Sequence, residues 1–62
     1  MDALQKVGFA KKEYPYWYIW TLQDEDREIY IRFNKEFKTL SVSNGFPQKY
    51  VQALADTIEE IK

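Results

Sequence analysis

Apolar and polar residues alternate with period two through the middle of this chain and switch to a helical spacing near its end. From Glu28 to Asn34 the apolar residues Ile29, Ile31 and Phe33 interleave with Glu28, Tyr30, Arg32 and Asn34, the signature of a half-buried strand. Tyr16 to Leu22 reads as a second strand and Phe37 to Ser43 as a third. From Gln48 onward Val51, Leu54, Ile58 and Ile61 form one stripe, opposite Lys49, Gln52, Asp56, Glu59 and Glu60, as in an amphipathic helix covering a sheet. At the start, Asp2 suits the cap of a short helix through Lys6 or Val7, with Leu4 and Val7 on one face and Gly8 at its C-terminal stop. Residues 9–12 are extended or irregular and form a candidate first strand. Gly45 sits in a loop that calls for positive φ, and Pro47 suits a first helical turn. The expected fold is α+β: a three- or four-stranded antiparallel meander, a C-terminal amphipathic helix on one face, and a short N-terminal helix.

The strand registers can be tested against one another. A four-residue loop at Asp24–Arg27 sets Leu22 opposite Ile29, Trp20 opposite Ile31 and Tyr18 opposite Phe33. A two-residue turn at Lys35-Glu36 sets Ile31 opposite Leu40 and Ile29 opposite Val42. One face then carries Tyr18, Trp20, Leu22, Ile29, Ile31, Phe33, Leu40 and Val42, and a one-residue slip would destroy it. The other face carries Trp17, Ile19, Thr21, Tyr30, Arg32, Phe37, Thr39 and Ser41, with Tyr30 opposite Ser41 and Phe37 opposite Asn34.

Composition sharpens the second face. Five of the seven residues from Tyr14 to Trp20 are aromatic, and alternate side chains of a strand point to opposite faces, so these rings cannot all enter one core. Only the N-terminal helix is available as a lid for the second face. Without it, Trp17, Ile19, Tyr30, Arg32 and Phe37 form a candidate partner-binding surface of the residue types enriched in interface hot spots. The competing explanation is that cross-strand aromatic pairs simply stabilise a small sheet, at roughly 0.2–1 kcal/mol each.

Length allows one domain, residues 1–62. A chain this short buries only ~60% of its unfolded surface and usually needs a staple. Cysteine and histidine are both absent, which removes disulfides and ordinary zinc sites, and leaves aromatic-rich packing, self-association, or both. The net charge of −1, from nine basic and ten acidic side chains, carries no nucleic-acid signature. No apolar run approaches a membrane span, and Met1–Lys6 has no signal-peptide layout, so a cytoplasmic location is expected.

Catalytic equipment is missing. Without histidine or cysteine, and with Ser41 and Ser43 near no base, neither acid–base nor nucleophilic chemistry has its usual residues. Two isolated glycines make no phosphate loop, so no cofactor is expected. Asp24, Asp26 and Glu28 alternate like the opening of a calcium loop, but its sixth and twelfth positions are Ile29 and Lys35 where glycine and glutamate belong. No metal site is expected; the acidic stretch Asp24, Glu25, Asp26 reads as a solvated turn, with contact to a basic partner groove as its lesser use. Glu13, Glu25 and Glu28 have nothing around them in sequence that would make a glycosidase pair. Sheet-mediated DNA or RNA binding through Trp17, Tyr30 and Arg32, with Lys12 or Lys38 on phosphates, is the runner-up function. The helix–sheet–helix order is similar to double-stranded RNA-binding domains, but the basic cluster their last helix needs is replaced by Asp56, Glu59 and Glu60.

The opening Leu4-x-Lys6-x-Gly8-Phe9, the aromatic strand, the acidic hairpin turn and the closing amphipathic helix resemble short accessory proteins of phages and prophages. Leu22-Gln23-Asp24-Glu25-Asp26, followed by the strand around Tyr30, is similar over about a dozen residues to small phage inhibitors of uracil-DNA glycosylase. That resemblance implies a dimeric, non-enzymatic sheet-plus-helix protein that inhibits a larger host or defence enzyme. The expected partners are therefore a second copy of the chain, a larger protein, or both.

Overall fold

A computed structural model describes residues 1–61. Its elements in chain order are helix α1 (Ala3–Lys6), strands β1 (Ala10–Glu13), β2 (Trp17–Asp24), β3 (Arg27–Asn34) and β4 (Thr39–Val42), a 3₁₀ turn (Gln48–Tyr50) and helix α2 (Val51–Ile61). The strands form one antiparallel meander in the order β1-β2-β3-β4. The protein is thus α+β, with a four-stranded sheet, and the open question over residues 9–12 resolves into a strand that pairs Ala10 with Thr21 and Lys12 with Ile19.

The β2–β3 register agrees with the sequence expectation: Tyr18 faces Phe33, Trp20 faces Ile31, and Leu22 faces Ile29. The ladder runs further than expected, closing at Asp24 and Arg27 around a two-residue turn in which Glu25 takes φ 59°. The β3–β4 register differs. Ile31 faces Val42 and Phe33 faces Leu40, two residues away from the expected pairing, and Arg32 rather than Tyr30 faces Ser41. The cause lies in Asn34. Its Oδ1 accepts from the backbone N–H groups of Glu36 (2.9 Å) and Phe37 (2.8 Å), and Lys38 N–H closes onto Asn34 O at 2.8 Å. Lys38 takes φ 59° to complete a four-residue turn, Lys35–Lys38, in place of the two-residue one. A slip of two leaves the faces of β4 unchanged, but it removes Phe37 from the sheet. Phe37 sits in the turn, 70% exposed, and does not lie opposite Asn34.

Leu4, Phe9, Trp20, Ile29, Ile31 and Phe33 form the buried core, and Tyr18, Leu22, Phe46, Tyr50, Ala53, Leu54, Ile58 and Ile61 pack against it. Burying each such large apolar side chain is worth about 1.5–3 kcal/mol. Both helices therefore lie on the Trp20 side of the sheet. The N-terminal helix is not a lid for the second face. It is tied to the core side by two long-range hydrogen bonds: Trp20 Nε1 donates to Asp2 Oδ2 (3.1 Å), and Leu4 N–H donates to Thr57 Oγ1 (3.0 Å). Asp2 caps α1 at the same time, Oδ1 accepting from Gln5 N–H at 2.8 Å while Gln5 Oε1 accepts from Asp2 N–H at 3.0 Å. Gly8 ends the turn with φ 115°, where a side chain would be strained. Val7 closes α1 as its cap and is exposed, so it does not share Leu4's burial.

Thr57 is fully buried, and its hydroxyl both accepts from Leu4 and donates to Ala53 O (2.8 Å). Thr57→Val keeps the shape and strands the Leu4 N–H. Urea unfolding is expected to show a loss of about 1–3 kcal/mol with an unchanged m value. A midpoint equal to wild type would mean that α1 is not held there.

Candidate interaction surface

The sheet face away from the helices is built from three cross-strand rows. Lys12, Ile19, Arg32 and Ser41 lie side by side. Ala10, Thr21 and Tyr30 make the next row, extended by Ser43, whose N–H donates to Tyr30 O at 3.1 Å. Trp17, Asn34 and Thr39 make the third. Alternation places them there: Trp20 inward forces Trp17, Ile19 and Thr21 outward, and Ile31 inward forces Tyr30 and Arg32 outward.

Arg32 is the centre of the patch. Its guanidinium carbon lies 5.8 Å from the Trp17 ring centroid and 5.5 Å from that of Tyr30, within cation–π range of both. Trp17, Ile19 and Tyr30 are half-buried, whereas Arg32 is exposed. Four of the five predicted contact residues, Trp17, Ile19, Tyr30 and Arg32, are brought together; Phe37 is not. Lys12, expected only as a phosphate contact of the nucleic-acid alternative, joins this patch because the β1 pairing places it beside Ile19.

The acidic turn stands apart from this patch, separated from Tyr30 by the Gln23–Glu28 pair. Asp24 is half-buried with Lys49 Nζ 3.9 Å from its Oδ2, while Glu25 and Asp26 are exposed. Among the described residues no cluster of three metal-type side chains occurs there or elsewhere. No helix among them is long and apolar enough to cross a membrane.

Two further features lie on the helix side. The Tyr18 ring has two ammonium groups over it, Lys11 and Lys35, each 4.5 Å from the centroid. Lys35 Nζ also donates to Glu13 Oε2 at 2.9 Å, joining the end of β1 to the turn after β3. The second feature is an open groove of about 440 Å³ between β4 and α2, lined by Leu40, Val51, Leu54, Ala55, Ile58 and Glu59. Leu40, Val42 and Val51 remain 43%, 39% and 47% exposed. The expected helix cover is therefore complete over β2 and β3 but stops short of β4.

No protein-family model, curated protein or solved structure matches this chain.

The hydrogen bond from Lys35, reinforced by its charge and more weakly by that of Lys11, holds the Glu13 carboxyl below its ordinary range, against a small opposing effect of burial. A depressed folded-state pKa stabilises above the ordinary carboxylate range and ceases to do so as pH falls through the depressed value. Lys35→Ala should return the Glu13 titration, followed by carboxyl-carbon NMR, toward the ordinary range. An unchanged curve would break the proposed link between β1 and the turn.

Proposed function

We propose that this chain is a small non-enzymatic protein-binding module, homodimeric and cytoplasmic, that presents Trp17, Ile19, Tyr30 and Arg32 to a larger protein. The observation that carries this reading is the absence of any cover, among the described residues, over the face opposite both helices. A sheet face on which an arginine lies between a tryptophan and a tyrosine is costly to leave to water and suited to a desolvated contact. The resemblance to phage accessory inhibitors adds the class of partner, a host or defence enzyme blocked stoichiometrically. The acidic turn at Asp24, Glu25 and Asp26 is solvated and takes a secondary part, if the partner's rim is basic.

Nucleic acid is the second reading. Arg32 between two rings, with Lys12 in the same row, is an arrangement that stacks bases and meets phosphate. The overall charge of −1 works against it, since affinity for a polyanion comes mainly from phosphate neutralisation.

Immobilised wild-type protein, Trp17→Ala and Arg32→Ala should be compared in capture from cell lysate with mass spectrometry, alongside titration with random single- and double-stranded DNA and RNA at low salt. The expected result is a protein retained by wild type and lost, by roughly tenfold or more, with either variant. Nucleic-acid affinity that falls steeply with salt and depends on Arg32 would replace the protein-binding reading with the second one.

A further inference from the structure

The two edges of the sheet are built differently. β1 carries Lys11, Lys12 and Glu13 among its four residues, and charged side chains are the usual guard against strand addition. β4 is Thr39-Leu40-Ser41-Val42, and the ten residues from Thr39 to Gln48 contain no charge, in a chain that is 31% charged. The β4 edge has neither a bulge nor a proline to turn a neighbour away.

Backbone parity decides what that edge offers. Ser43 N–H donates to Tyr30 O, so Ser43 and, by alternation, Ser41 and Thr39 point their peptide groups toward β3. Leu40 and Val42 therefore point their N–H and C=O groups away from the sheet. Their side chains are also part-exposed, Leu40 lining the β4–α2 groove and Val42 following it on the same face of the strand. One added strand would satisfy their backbone groups and cover their side chains together.

We infer that the occupant is a second copy of this chain, joined by antiparallel pairing of β4 with β4 about a two-fold axis through Ser41. The segment Thr39-Leu40-Ser41-Val42-Ser43 alternates polar and apolar identically in both directions. With Ser41 opposite Ser41, Leu40 of each copy meets Val42 of the other as a hydrogen-bonded pair, which is the parity the edge requires, and the Ser41 pair is the non-hydrogen-bonded one. Lys38, the nearest charge along the chain, falls opposite Asn44, so no like charges pair between the two strands. An unrelated extended peptide could use the backbone groups, but it would have no reason to match this symmetric pattern. The result is a continuous eight-stranded sheet with both grooves joined on the helix side, while the two Trp17–Tyr30–Arg32 patches lie free on the other. The inference rests on the homodimer in the proposed function, and assigns its seam to β4 and not to the aromatic face.

Sedimentation velocity at tens of micromolar, with circular dichroism as the folding control, separates the possibilities. Wild type and Trp17→Ala should both sediment as dimers, and Leu40→Lys, which places a charge in the seam, should weaken self-association by roughly tenfold or more. The chain lacks cysteine, so Ser41→Cys introduces a single thiol. Across a non-hydrogen-bonded pair the Cα atoms stand ~4.5 Å apart, within disulfide reach, so mild oxidation should link the copies, and equally so in the Trp17→Ala background. Should Leu40→Lys fail to fold, the cross-link decides alone. A dimer lost in Trp17→Ala but kept in Leu40→Lys would move the seam to the aromatic face and overturn this inference while sparing the homodimer. A wild-type monomer would overturn both.

Discussion

The indole of Trp20 is the largest side chain fully removed from water, and its Nε1–H has to find an acceptor inside the fold. Asp2 supplies it while also capping α1 and standing 3.6 Å from the Lys11 ammonium, so one carboxylate joins the first helix, the edge strand β1 and the centre of β2. Because a strand has period two, fixing Trp20 inward fixes Trp17 and Ile19 outward. The core, the position of both helices on one side, and the bare aromatic face on the other are consequences of that single orientation. A 62-residue chain has little other redundancy. Among its described residues, no buried side-chain nitrogen or oxygen is left without a partner.

The two faces of the sheet are closed to different degrees. Over β2 and β3 the helix side is sealed by Leu4, Leu54, Ile58 and their neighbours. At β4 the seal ends, and an apolar groove meets an uncharged strand edge. Among the described residues the opposite face has no helix over it, and Arg32 lies over Trp17 and Tyr30. Edge pairing and face contact use different atoms, backbone groups in one case and rings and guanidinium in the other. A dimer built through the edge would leave the face open to a larger protein twice over, which raises effective concentration at any partner able to meet both copies.

Much of this was legible in the sequence, for reasons that differ by element. The β2–β3 register could be read because two long alternating strands with six large apolar residues admit one parity and one sensible loop. The β4 register could not. Leu40 and Val42 fix which face is inward but not which residues they oppose, and the choice fell to a side-chain cap, Asn34 on Glu36 and Phe37, that no hydrophobic pattern reveals. Phe37 was misplaced for the same reason. The position of α1 was also hidden: Leu4 is its single buried residue, and the bonds that place it join residues 18 and 53 positions apart. Four of the five proposed contact residues were recoverable because alternation alone assigns them, while Lys12 needed the β1 pairing and the groove needed the actual reach of α2.

The orientation of β2 can be measured directly with two single-tryptophan proteins, Trp17→Phe and Trp20→Phe, titrated with iodide and acrylamide. The remaining Trp20 in the first should emit at short wavelength and resist both quenchers, and the remaining Trp17 in the second should be red-shifted and readily quenched. The opposite pattern, with Trp17 sealed and Trp20 accessible, would reverse the faces of the sheet and contradict the account from its core to its proposed contact surface.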